Sequence, residues 1–314
     1  MKPASASPSL RPALPPGLVL LIGILAVSTA SLFIRWAQQD APSLVIAAYR
    51  LLLASLLLAP WALYRHRDAL RGLRLRHLGW ALLSGAFLAA HFALWITSLE
   101  YTTVASSVVL VTTTPLWVAL TAPWTLNERH SMRVWLGIVV ALIGGVVIAL
   151  GDGCRWDHGL VCHGLGTLEG RALLGDLLAL LGAWAVAAYF SIGRHLRAET
   201  PFLLYVFLTY GMAALVLAAV VTLSGLPWTG YAPTTYGLFL ALAVIPQLVG
   251  HSSFNWALRH MPASVVSLYL LGEPVGSTLL AFVFLREVPS RLTLLGAALV
   301  LLGLAWVTRA TGPA

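Results

Sequence analysis

Long apolar runs separated by short polar breaks dominate this chain. Ten can be drawn, at about residues 17–36, 43–63, 78–99, 104–124, 133–150, 173–192, 202–223, 236–257, 263–285 and 291–308. Each approaches the roughly 20 residues with which a helix crosses ~30 Å of hydrocarbon. Backbone polar groups in that solvent must be satisfied inside the segment, so the runs predict helices. The first run follows Lys2 and Arg11 as a signal peptide's would. It nevertheless continues to Trp36, long enough to span, and it has a partner later in the chain. It is read as a retained helix behind a disordered tail, residues 1–16, rich in Pro, Ser and Ala.

The pattern occurs twice. Adding 159 to a residue number carries Gly23 to Gly182, Arg35 to Arg194, Pro42 to Pro201, Leu99 to Leu258, Pro115 to Pro274, Glu128 to Glu287, Gly137 to Gly296 and Gly144 to Gly303. Leucine-rich helices align by chance, but prolines, arginines and glutamates do not readily share one ungapped register. Each copy holds five runs, so the second copy enters the membrane from the opposite side. Inverted repeats of this kind build alternating-access transporters. The expected fold is all-α integral membrane: ten transmembrane helices as two inverted five-helix repeats, 17–150 and 173–308, joined by a linker at 151–172.

Composition agrees. Only 10% of residues are charged and 59% are hydrophobic, whereas a soluble domain carries roughly 25% charged residues. A net charge of +8 would suggest nucleic acid in a soluble protein. Here thirteen of the nineteen Lys and Arg fall on one side of the expected helices, led by Arg65, Arg67, Arg71, Arg74 and Arg76, and five on the other. That bias is an orientation signal. It places both termini in the cytoplasm of a bacterial inner membrane, beside anionic lipid, and leaves no role for nucleic acid. The linker then faces outward and carries both cysteines, Cys154 and Cys162. A disulfide and a pair of free thiols both fit an oxidising side. His158 and His163 lie among them, but the spacing matches no standard zinc site, and no metal is expected.

Three stretches carry a family resemblance: RLLLASLLL from Arg50, SLEYTTVASSVVLVTTTPLW from Ser98, and ALRHMPASVVSLYLLGEPVG from Ala257. Each of the latter two continues to a Leu-x-Glu, at Leu126–Glu128 and Leu285–Glu287. In this the chain resembles the EamA-type transporters of the drug/metabolite transporter superfamily over about residues 18–308. The resemblance implies a ten-helix bundle of two inverted repeats and secondary transport of small solutes, usually export. It names no substrate. Family members often carry Trp in the first helix; here Leu25 stands there, while the second repeat keeps Trp184.

Polar residues at mid-depth mark candidate chemistry, because a charge there costs several kcal/mol on insertion scales unless paired, hydrated or used. Glu273 lies about ten residues into the ninth run, between Gly272 and Pro274. A carboxylate beside a kink can take a proton or a cationic group. Arg50 lies well inside the second run and needs an anion or carbonyls. It could pair with Glu273, or the two could hold opposite ends of a zwitterion. His91 and Trp95 lie one turn apart on the third run. Gln247, His251 and Asn255 follow at i, i+4 and i+8 on the eighth, and both stripes could line one cavity or simply bond between helices. Tyr269, with Trp184 and Tyr189, could add aromatic walls. Pro115 and Pro274 are expected to kink their helices, and the hydroxyls of Thr112, Thr113 and Thr114 to serve carbonyls that Pro115 frees. Glu128 and Glu287 read as caps or gate pairs.

No phosphate-binding loop, nucleotide domain or metal motif survives inspection, so neither enzyme activity nor a cofactor is expected. The expected function is secondary active transport, in the export direction, of a small organic metabolite such as an amino acid. Its site would lie near the midplane, lined by Arg50, His91, Trp95, Gln247, His251, Asn255, Tyr269 and Glu273, with Glu273 coupling to protons. Export of hydrophobic cationic drugs, an enzyme on lipid-linked substrates, and a channel or scaffold subunit are the competing readings. A homodimer is left open.

Overall fold

The computed structural model describes residues 15–72, 75–125, 131–156, 160–162, 168–257, 269–270 and 272–311. Its elements are helical apart from one short hairpin. The first apolar run becomes α1 (Pro16–Ser28) and α2 (Ala30–Ala37), separated at Thr29, whose hydroxyl bonds back to Ala26 O at 2.7 Å. Next come α3 (Ser43–Arg65), α4 (Arg67–Arg71) and α5 (Leu75–Ser98), then α6 (Val104–Val111), α7 (Thr114–Thr125) and α8 (Met132–Gly153). The second half holds α9 (Leu168–Glu199), α10 (Phe202–Leu223), α11 (Pro233–Leu242) and α12 (Ser252–Ala257), with a π-helical stretch, Ala243–His251, joining the last two. α13 (Gly272–Leu280) runs into a second π stretch, Ala281–Leu285, before α14 (Arg291–Thr311).

Among the described residues, six helices are long and apolar enough to span a bilayer: Pro16–Ala37, Ser43–Arg65, Leu75–Ser98, Gly170–Gly193, Phe202–Leu223 and Pro233–Ala257. Four shorter apolar helices accompany them: Val104–Val118, Met132–Ile148, Gly272–Leu285 and Arg291–Trp306. The run expected as one helix over 104–124 is broken. Pro115 has no N–H for Val111 O, and the chain turns at Thr112 and Thr113. Pro115 falls in the first turn of α7, where a missing N–H leaves nothing unpaired; Pro274 lies near the start of the described stretch α13, with Tyr269 and Leu270 before it also helical. The stretch expected as a plain linker carries a hairpin, β1 (Cys154–Trp156) against β2 (Leu160–Cys162), whose antiparallel register sets Cys154 opposite Cys162. Their side chains, Glu128, His158 and His163 lie outside what is described.

Helix packing is reciprocal between the halves. α5 lies along α9, and the Pro233–Ala257 helix lies along α1; α3 pairs with α10 and α8 with α14. Small residues set the spacing. A Cβ on Gly144 would fall 2.7 Å from Gly296 O, and one on Gly303 would fall 2.6 Å from Gly137 O. The 159-residue offset maps each of these contacts onto the other. The same holds where Gly23 faces Gly250 O and Gly182 faces His91 O. The core is built from Ala, Val, Leu and Ile on the facing sides, with Leu and Trp turned outward, such as Leu25, Trp61, Leu142 and Leu302. That exposed apolar girdle suits lipid rather than water.

Candidate functional site

Arg50, about a third of the way along α3, is completely buried. A guanidinium there needs compensation. Its Nε donates to Gln247 Oε1 at 2.8 Å, and its planar face lies over the Phe92 ring, 4.2 Å from the centroid, with Trp95 at 5.9 Å. Contact with aromatic faces offsets part of the lost hydration. Nη1 and Nη2 are buried and have no hydrogen-bond partner among the described residues, and neither does Trp95 Nε1. Glu273 does not supply one: no carboxylate oxygen of Glu273 comes within 4.0 Å of Arg50, and Arg35–Glu287 is the ion pair found among the described residues.

A cavity of about 60 Å³ lies beside this group. α5 supplies His91 and Trp95, the α6–α7 break Val111, Thr112 and Thr114, and α9 Val186 and Phe190. His251, Phe254, Leu270 and Glu273 close it. The His91 and Trp95 rings stack with centroids 6.0 Å apart, and His91 Nδ1 lies 3.0 Å from Gly182 O. Phe92 connects the two zones: one face carries Arg50, and its ring meets His251 at 5.4 Å in a T-shaped contact. The threonine hydroxyls turn inward to the backbone. Thr112 donates to Val109 O at 2.9 Å, Thr113 to Leu110 O at 2.6 Å, and Thr114 to Val111 O, the carbonyl that Pro115 cannot serve, at 3.0 Å.

Of the residues singled out in the sequence, the fold brings His91, Trp95, His251 and Glu273 to the cavity wall and Arg50 with Gln247 beside it. Asn255 lies elsewhere, buried and donating to Tyr189 OH at 3.4 Å. The i, i+4, i+8 stripe fails because Ala243–His251 is π-helical. Its wider turn rotates each later residue away from an α-helical face. Tyr269 packs against the cluster of Leu20, Ile24, Val27, Phe254 and Ala257 instead, and Trp184 is half exposed on the bundle surface against Phe87. Phe92, Phe190 and Phe254 were not marked by the sequence reading. For Phe92 the signal was its position between two residues that were.

A second polar assembly closes the end of the bundle away from the start of α1. Arg35, in the last turn of α2, donates from Nη1 to Leu99 O at 2.7 Å and from Nη2 to Glu287 Oε1 at 2.8 Å. Glu287 Oε2 accepts from Val104 N at 2.9 Å, at the first residue of α6. Glu287 therefore caps α6, not the helix that follows it in sequence. Nearby, Gln38 bonds to Ser43 and Ile96 O, and Ser43 Oγ donates to Glu100. Asp40 Oδ2 accepts from Thr235 Oγ1 at 2.7 Å and Ala232 N at 2.8 Å, at the start of α11. Those two bonds, Thr235 first, hold the Asp40 carboxyl below the usual carboxylate range. Among the described residues no cluster of His, Cys, Asp and Glu could hold a metal ion.

The model of the EamA-like transporter family matches this chain twice, over residues 15–150 and 173–309. The chain belongs to the EamA-like transporter family. It is thus a multi-pass membrane protein of a transporter family, and the names of its relatives indicate transport rather than an enzyme. It is 24% identical over 289 residues to an uncharacterized transporter of Archaeoglobus fulgidus, covering 91% of this chain and 94% of that one. It is 28% identical over 204 residues to a probable terminal-alkyne amino-acid exporter of Streptantibioticus cattleyicolor, covering 64% and 63%. A solved crystal structure shares the fold at a TM-score of 0.60 and 20% identity, covering 94% of this chain and 96% of that one.

Proposed function

We propose that this EamA-like protein is a secondary transporter that exports small amino-acid-like zwitterions through a site near the membrane midplane. One observation carries the reading. Arg50 is buried, its Nε is fixed by Gln247, and its two terminal nitrogens are left without partners behind Phe92 and Trp95, the latter of which lines the cavity together with Glu273. Two parallel N–H groups on one guanidinium are the geometry that takes a carboxylate in bidentate fashion. A carboxylate on the cavity wall, unpaired with that arginine, suits an ammonium group or a proton. The apolar remainder, Val111, Val186, Phe190 and Phe254, would accept a short or planar side chain. The relative named as an amino-acid exporter points the same way.

Residues 17–150 and 173–308 are taken as two inverted five-helix repeats, ten spans in all, with both termini in the cytoplasm. Reciprocal packing of α5 on α9 and of the Pro233–Ala257 helix on α1 supports the repeat. The bias of basic residues supports the orientation. Alternating access by rocking of the halves around the central site follows from that architecture.

The test is flux of amino acids, organic cations and nucleosides into proteoliposomes, with and without an imposed pH gradient. Saturable amino-acid flux is the expected result, and Glu273→Gln should remove its dependence on the gradient. Flux confined to apolar cations would replace this reading with drug export, for which Glu273 and the aromatic wall suffice. Normal gradient-driven flux in Glu273→Gln would remove that residue from coupling.

A further inference from the structure

The Arg35–Glu287 assembly belongs to none of the cavity residues, yet it is built across the whole chain. Its two charged members are 252 positions apart. It draws together the end of α2, the Leu99–Val104 turn between α5 and α6, and the connection that follows the π stretch Ala281–Leu285. Above it is a basin of about 740 Å³ lined by Arg35, Gln38, Asp40, Glu100 and Glu287 among others. Below it runs α6. That helix starts at Val104, which Glu287 holds, and ends at Val111, which lines the cavity. Eight residues at 1.5 Å per residue separate the two by roughly 10 Å. Basin, ion pair and cavity therefore follow one another along a single short helix.

We infer that Arg35 and Glu287 form the gate between the basin and the cavity. The inference rests on the transporter reading but not on any choice of substrate. The pair has the properties a gate requires. Its partners come from separate parts of the chain, so parting them separates helices rather than unwinding one. Its contacts are charge-assisted hydrogen bonds at 2.7–2.9 Å, which hold a defined geometry yet can be replaced by water. Neither side chain is fully buried, at 33% and 19% exposed, so separating them does not strand a charge in hydrocarbon. The residue before the acid, Arg286, sits at φ 57°, the left-handed region, and turns the chain so that Glu287 faces back over the bundle. In the 159-residue register the same two residue types recur as Arg194 and Glu128.

The experiment needs no substrate. In a Cys154→Ser/Cys162→Ser background, Thr112→Cys puts a thiol on the cavity wall. A membrane-impermeant thiol reagent is then applied to sealed vesicles from each face in turn. Glu287→Gln keeps an acceptor for Val104 N but removes the charge. It should raise labelling from the basin face about tenfold, as loss of a charge-assisted bond shifts the population of a two-state gate. The exchanged pair, Arg35→Glu with Glu287→Arg, should bring the rate back toward that of the parent. Unchanged labelling in a monodisperse Glu287→Gln protein would overturn the gate. So would loss of folding in both Arg35→Gln and Glu287→Gln, which would make the pair a structural tie. Raised labelling without amino-acid flux would keep the gate and reject the proposed substrate.

Discussion

Arg50 and Gln247 meet through one hydrogen bond, Nε to Oε1 at 2.8 Å, between helices of opposite halves of the chain. It is the hydrogen bond that fixes the guanidinium, so the amide sets the direction in which the two free nitrogens point. Gln247→Leu should destabilise the protein by about 1.5–3 kcal/mol, the usual loss for a hydrogen bond to a charged group. A thermal melt in detergent reads it. Arg50→Ala should lower both the melting temperature and flux, whereas unchanged stability with lost substrate binding would assign Arg50 to substrate contact alone.

The α8–α14 contact predicts a sharp contrast between glycines. An added methyl at Gly144 or Gly296 meets backbone atoms at 2.6–2.7 Å, which no side-chain rotation relieves. Gly144→Ala and Gly296→Ala should each cost about 1–3 kcal/mol through overpacking. Gly79 and Gly237, where nothing lies within 4 Å, should gain about 0.5–1 kcal/mol as alanines. Melting temperatures of the four variants check both signs.

The Asp40 bonds to Thr235 and Ala232 make a pH prediction. The folded carboxyl titrates below the unfolded one, so the stabilisation is present above the unfolded value, about 3.9, and fades as pH falls through the folded value. Asp40→Asn should melt lower than the parent at pH 7, and the gap should close on acidification below about pH 4. A gap that persists there would assign the effect to hydrogen-bond geometry rather than charge.

Arg286 is the one described non-glycine residue with positive φ. The left-handed conformation costs an L-residue about 1–2 kcal/mol, partly offset by the extra chain entropy of glycine. Arg286→Gly should therefore stabilise by about 0.5–1 kcal/mol, read as a raised melting temperature.

The sequence revealed much of this. The run at 202–223 is the helix Phe202–Leu223, because apolar periodicity is a local signal, and the repeat register singled out Gly144, Gly296 and Gly303, which the fold places at close backbone contacts. Glu273 and Arg50 stood out because charge is rare in apolar runs. The α6–α7 break escaped, since a proline in a long apolar run reads equally as a kink or an end. The π stretch at Ala243–His251 escaped too, and with it the true aim of Asn255, because no side-chain pattern announces an i to i+5 ladder. The partnership of Arg35 with Glu287 depends on how distant helices come together, which periodicity does not encode.

Among the described residues, the α8–α14 pair contributes no side chain to the cavity wall. It joins the last helix of each half through bare backbone, so closely that neither can slide past the other without collision. Such a line of contact behaves as an axle. Tilting about it keeps the glycines in register, whereas translation along it does not. In the proposed alternating-access cycle the moving parts would be the helices farthest from that line, and a probe attached to α8 or α14 would report on the frame rather than on the stroke.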